Sequence, residues 1–291
     1  MKDPLAKEVK SHKMIYRLAL FIIFFICGLS IFLFGSNFIS VFSTNDSTIY
    51  RIIISVLFLA LTVFTYLAKS LRNYWRVSFA FFIASIGTLL NWVVRDLPVR
   101  FLYDSITITE GRWMLDKFSQ FIAIVIPILI LTLAFRDKLS SLYIQKGRSR
   151  LWIIIGLSFF VLFVTGGLLL SLQENSLQKI LSILPWLFAF SVFNALMEEL
   201  WFRGLFLKRF EQFIGSHLSI FLTSILFSIP HIFVRYISGI QMSLVFFTTV
   251  FSLGMASGYI IYKSKSIWGA VIFHIGYDLF YALAFGFATV E

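Results

Sequence analysis

Six ionisable residues lie within apolar stretches of the chain's last third: Glu198, Glu199, Arg203, His231, His274 and Asp278. On insertion scales a charged group at a membrane helix centre costs about 2.5–3.5 kcal/mol, so a set of this size calls for helix-joining ion pairs or for a reactive site. The first cluster reads Met197-Glu198-Glu199-Leu200-Trp201-Phe202-Arg203-Gly204. On a helix Glu199 and Arg203 are i and i+4 and can pair. Glu198 is five residues from Arg203, about 140° around the axis. One carboxylate is thereby neutralised, and the other is left to face the bundle without a local cation. Such a carboxylate suits general-base work. The second cluster, Phe227-Ser228-Ile229-Pro230-His231, sets a ring one turn before an imidazole, with a proline that interrupts the helix between them. The third, His274-Ile275-Gly276-Tyr277-Asp278, puts a carboxylate on the same face as a histidine whose tautomer it can fix. Gly276 takes bulk off that helix and permits a close neighbour.

The elements that must position these groups are membrane helices. The 291 residues are 59% hydrophobic and only 13% charged, against about 25% charged in soluble domains. The apolar runs are long and do not alternate with period two, which excludes a β-barrel. Candidate spans are 15–35, 51–68, 77–94, 118–135, 151–172, 182–207, 216–236, 240–262 and 266–288, an all-α polytopic bundle of eight or nine spans whose last four form the reactive core. The basic N-terminus followed by 15–35 mimics a signal peptide, but the run is long and no small-residue cleavage site follows, so it reads as a retained span. The single cysteine, Cys27, rules out a disulfide framework or cysteine metal cluster. The net charge of +11 reflects cytoplasmic loops and not a nucleic-acid partner. With the N-terminus in the cytoplasm, the inside segments hold 16 of the 25 Lys and Arg residues and the outside segments 6. The C-terminus then lies outside. The least regular part of this map is the loop 95–117. Asn91 and Gln120 are the few strongly polar residues of the first five spans, and both sit near span ends. Depth raises one difficulty. At 1.5 Å per residue Glu198 lies about 14 Å from the cytoplasmic end of its span and His274 about 12 Å, but His231 about 22 Å. A tilt, a kink at Pro230 or a later helix start is needed to bring the three together.

The three clusters, in order and on successive spans, resemble the CPBP family, the CAAX proteases and bacteriocin-processing enzymes also called Abi. That family is marked by Glu-Glu-x-x-x-Arg, then Phe-x-x-x-His, then His-x-x-x-Asn or a variant. The resemblance covers about residues 180–290 and divides the chain into N-terminal transmembrane helices of variable type, 1–175, and a protease-like core, 176–291. It implies an intramembrane endopeptidase without a covalent intermediate. Glu198 would activate water with help from His231, and His274 with residue 278 would stabilise the oxyanion, while Glu199, Arg203 and Phe227 support the site. Asp278 departs from the asparagine of the archetypal CAAX enzymes, and an ionised aspartate accepts hydrogen bonds but donates none. It must be protonated or must orient His274.

The expected partners are the lipid bilayer and a peptide precursor or membrane-protein substrate, in a plasma membrane of bacterial type. No cofactor is expected. Two alternatives stand beside this reading. Two histidines and a carboxylate also make a zinc ligand set, although the compact His-Glu-x-x-His arrangement is missing. The chain could instead be a non-catalytic scaffold or a bacteriocin immunity protein. A transporter is disfavoured because no repeat halves are apparent.

Overall fold

In a computed structural model the described residues are 4–36, 44–94, 102, 105–234 and 239–286. They form helices and connecting turns, with no strand among them. This follows from the solvent. A backbone in hydrocarbon must satisfy its own hydrogen bonds, and long Phe, Ile and Leu runs offer no alternation for a sheet. The principal helices are α1 (Pro4–Phe32), α2 (Thr44–Leu67), α3 (Trp75–Val94), α4 (Thr109–Ala134), α5 (Leu151–Glu174), α6 (Leu177–Ile214), α7 (Ser216–Ser228), α8 (Ile240–Ser264) and α9 (Trp268–Phe285). Nine stretches among the described residues are long and apolar enough to cross a membrane. The expected helical bundle is therefore found. The loop stretches 37–43, 95–101, 103–104 and 235–238, and the end of the last expected span beyond 286, lie outside the described residues.

Of the boundaries that differ from the sequence reading, two matter most to the site. α6 continues to Ile214, seven residues past the expected end at 207. Gly215, at φ +84°, then reverses the chain into α7 at Ser216. A positive φ of this kind is open to glycine and costly for other residues. Glu198 and His231 thus lie nearly equal distances along the chain from the same hairpin turn. The apparent mismatch in depth came from ending α6 too soon. Likewise α4 starts at Thr109 and not at 118, because the Glu-Gly-Arg stretch after it is accommodated in the first helical turns, where polar side chains are readily solvated.

Aromatic packing joins the N-terminal helices to the core. Phe24 of α1 stacks on Phe210 of α6 at 4.8 Å between ring centroids, and Phe32 lies 4.4 Å from Phe202. Phe81 of α3 meets Phe206 at 5.0 Å. The loop after α4 fastens the α8–α9 turn: the Ile267 amide donates to the Tyr143 carbonyl at 3.0 Å and the Arg148 amide to Ser264 O at 2.8 Å. Asp137 joins α3 to α6 by accepting from Arg76 at 3.0 Å and Arg209 at 3.4 Å.

α9, which carries the third cluster, is held by α5 at backbone contact. A Cβ on Gly276 would lie 2.6 Å from Phe160 Cα, and one on Gly269 would lie 2.6 Å from Trp152 O. The approach expected at Gly276 is thus present, and its partner is α5. With no hydrophobic drive between helices in lipid, such small-residue contacts supply close van der Waals packing. Gly276→Ala is expected to cost about 1–3 kcal/mol by overpacking, read as a lower thermal midpoint in detergent. Gly166→Ala, whose Cβ would meet only the Phe280 ring at 3.5 Å, is expected to be neutral or slightly stabilising. Equal effects at the two positions would show that the α5–α9 approach is not set by Gly276.

Candidate active site

The site begins where α6 changes pitch. After Glu198 the helix widens into a π-helical turn, Glu199–Gly204, before resuming α geometry at Leu205. Such single wide turns concentrate at functional sites, because the local change of pitch re-aims side chains that regular α-helix would fix elsewhere. Glu199 and Arg203 lie in this turn, fully buried, with Nη1 donating to Oε1 at 3.2 Å. The expected i, i+4 pair is therefore present.

The pair is enclosed from three other helices. The Arg203 guanidinium sits 4.3 Å from the centre of the Phe227 ring on α7, close enough for cation–π attraction. Gly254 on α8 makes room for it: a Cβ there would come within 2.8 Å of Nη2 and 3.1 Å of Ser224 Cβ. From α9, His274 Nδ1 donates to the same Glu199 oxygen at 2.9 Å. Glu199 Oε1 accordingly accepts from both Arg203 and His274.

His274 then links this sealed pair to a second group of acids. Its Nε2 is 3.5 Å from Glu198 Oε2 and 3.5 Å from Asp278 Oδ1. Asn194, one turn before Glu198 on α6, closes the group: its Nδ2 donates to Asp278 Oδ2 at 3.0 Å and to Glu198 Oε2 at 3.3 Å. His231 stands beside it. The Phe227 ring meets His231 edge-on at 5.0 Å and His274 at 5.9 Å, as the Phe-x-x-x-His spacing led one to expect. His231 Nδ1 lies 2.7 Å from the Phe227 carbonyl oxygen. A carbonyl only accepts, so Nδ1 carries the proton and Nε2 is the acceptor nitrogen of the neutral ring. Pro230 helps to produce this arrangement. α7 gives way after Ser228 to a tight turn, Ile229–Phe233, which brings the imidazole back over its own helix end.

All seven residues singled out in the sequence are therefore brought together, and they sort into two layers. Glu199, Arg203 and the His274 side chain are sealed, at 0, 0 and 1% exposure. The Glu198 and Asp278 side chains keep 11% and 12%, and His231 is only partly buried. The inner layer is closed to solvent, and the outer layer keeps a small exposed surface. Among the described residues no group of three or more His, Cys, Asp or Glu side chains is placed to hold a metal ion.

Two residues of the site were not read from the sequence. Asn194 is not ionisable and so escaped a search for charges, although its place four residues before Glu198 puts it on the same face. Lys117 was assigned to the loop 95–117. It lies inside α4, half-buried, with Nζ 3.3 Å from Gln120 Oε1 and 5.8 Å from the centre of the Phe190 ring, which shares the α6 face of Asn194 and Glu198. Its charge acts on Glu198 and on His231. The sequence reading gave Glu198 no local cation on its own helix, and Lys117 comes from a different one.

Removing one partner of a buried ion pair strands the other charge, at a cost of about 3–5 kcal/mol. Arg203→Leu alone is expected to lose stability on that scale. Glu199→Leu/Arg203→Leu together should lose less than Arg203→Leu, measured by thermal unfolding in detergent. A double variant as unstable as the two single losses added would show that the pair is not coupled.

No curated protein and no solved structure matches the chain. Residues 180–280 match a family model described as Type II CAAX prenyl endopeptidase Rce1-like. The matched stretch contains every residue of the two layers together with Asn194, but not Lys117. With nine candidate spans among the described residues, the chain is an integral membrane protein whose residues 180–280 are similar to the Rce1-like family of CAAX-type proteases.

Proposed function

We propose that the chain is a glutamate-type intramembrane endopeptidase in which Glu198 is the general base. The observation that carries this reading is the partition of the two adjacent glutamates. Glu199 is committed to Arg203 and His274 with no exposure, whereas Glu198 keeps 11% exposure and shares His274 Nε2 with Asp278. Glu198 takes a proton from water, and the resulting hydroxide adds to the scissile carbonyl carbon. His231, with Nδ1–H held by the Phe227 carbonyl, offers Nε2 as a second acceptor for that water. The tetrahedral intermediate bears an oxyanion, and the donor available to it is the Nε2–H of His274 as an imidazolium, both of whose nitrogens face carboxylates. Donors placed in advance where charge develops are worth several kcal/mol to such a reaction. Collapse breaks the C–N bond as Glu198 returns its proton to the leaving amine.

Asp278 then has an orienting role. Its carboxylate faces His274 Nε2 and takes the Asn194 amide, which supports its holding the imidazole in place and leaves the oxyanion to His274. The substrate is a peptide precursor or membrane-associated protein, the N-terminus is cytoplasmic in a bacterial-type plasma membrane, and hydrolysis needs no metal. Elemental analysis of the purified chain tests the last point, since one tightly bound zinc per chain would contradict it.

The functional test needs no prior substrate. Membranes from cells expressing the wild-type or the Glu198→Gln chain are compared by mass spectrometry of new protein N-termini. A set of cleavages is expected with the wild type alone. Glu198→Gln should lower turnover at those sites by about 10²–10⁴-fold, the usual worth of general acid–base catalysis, with insertion unchanged. His231→Ala is expected to act in the same direction. Identical N-termini in both membranes would sink the proteolytic reading in favour of a binding or immunity role.

A further inference from the structure

We infer that Asn194 is a positioning residue of this site, a carboxamide clamp that holds Glu198 and Asp278 in one fixed relation; its catalytic significance rests on the proteolytic reading above. Glu198 and Asp278 come from different helices, yet both present an oxygen to the same imidazole nitrogen at 3.5 Å. Two carboxylates gathered on one nitrogen and one amide repel unless hydrogen-bond donors lie between them. His274 Nε2 supplies one N–H. The second donor is the Asn194 amide, whose Nδ2 has two hydrogens and reaches Asp278 Oδ2 at 3.0 Å and Glu198 Oε2 at 3.3 Å.

The orientation of that amide follows from its partners. A reversed amide would set its carbonyl oxygen against two carboxylates that only accept. Asn194 is itself buried, at 7% exposure, so its hydrogen bonds are made in a medium where each is stronger than in water. It also stands on the same helix as Glu198, one turn away, so a shift of α9 is transmitted to the base through one amide. The other groups around the clamp are His274 from α9 and Lys117 from α4, whose charge reaches Glu198. Neither bridges both carboxylates from the α6 side.

Three variants of the full chain, purified in detergent, test the clamp: Asn194→Leu, Asn194→Asp, and the exchange Asn194→Asp/Asp278→Asn. The exchange keeps one amide facing one carboxylate with the helices reversed. The substrate is a synthetic peptide spanning the strongest Glu198-dependent cleavage found in the membrane comparison. Asn194→Leu and Asn194→Asp are expected to lower kcat by about 100-fold, the scale of a roughly 1 Å misplacement of a catalytic group, with KM nearly unchanged. The exchange should recover kcat to within about 10-fold of wild type and should recover the thermal midpoint lost by Asn194→Asp. A merely space-filling Asn194 would move kcat and the midpoint together and gain nothing from the exchange. An exchange no better than Asn194→Asp in either measurement overturns the inference. If no Glu198-dependent cleavage is found, the proteolytic reading fails separately, and recovery of the midpoint alone decides whether the clamp exists.

Discussion

The ion pair between Glu199 and Arg203, completed by His274, is the interaction around which the active end of this molecule is arranged. Both charges are fully withdrawn from solvent. In that setting a lone charge is prohibitively expensive and a pair survives only with good geometry and further hydrogen bonds. Each neighbour answers to that demand. The π-helical turn brings the two side chains to one side of α6. Phe227 lays its ring against the guanidinium. Gly254 withholds a side chain where the guanidinium must lie. His274 adds the second donor to Glu199. The histidine is thus fixed by a group that the proposed reaction does not use, and its other nitrogen is aimed at groups that it does use.

This explains why adjacent glutamates have different fates. Rotation by one residue around a helix separates their faces by about 100°, and α9 approaches only one of those faces with a donor from within the seal. Glu198 is left on the side where Asp278, Asn194 and His231 gather and where some solvent exposure persists. The resulting division is between an inner layer of fully buried groups and an outer layer that keeps some exposure. The N-terminal helices contribute to both. Their aromatic side chains back α6 along Phe202, Phe206 and Phe210, and α4 brings Lys117 toward the outer layer from beyond the segment matched by the family.

Much of the site was legible in the chain because helical spacing is local. Glu199 with Arg203, Phe227 with His231, and His274 with Asp278 are all i, i+4 pairs, and each is in contact in the fold. The helical bundle was equally plain from the length of the apolar runs. The less legible parts share a cause. Asn194 is uncharged, and nothing in its immediate neighbours marks it out from a packing residue; only α9, 84 positions later, gives it a second carboxylate. Lys117 sits close to a helix start, and helix starts are the features that local sequence defines least well, since polar residues serve both in loops and in first turns.

The sequence by itself determined that this chain is a bundle of membrane helices, which residues pair within a helix, and which three segments carry ionisable groups inside apolar stretches. Those properties depend on hydrophobic run length and on the 3.6-residue repeat, both of which are written along the chain. The tertiary structure decided which glutamate is fully sealed and which keeps some exposure, that His274 bridges the two, and that Glu198 and His231 lie nearly equal chain distances from one hairpin turn. Each of these depends on where one helix meets another: on Gly215 setting the hairpin, on Gly276 and Gly269 letting α5 grip α9, and on the room Gly254 leaves for Arg203. Contacts between distant segments are set by steric fit and burial cost summed over many residues, and no single stretch of sequence contains that sum.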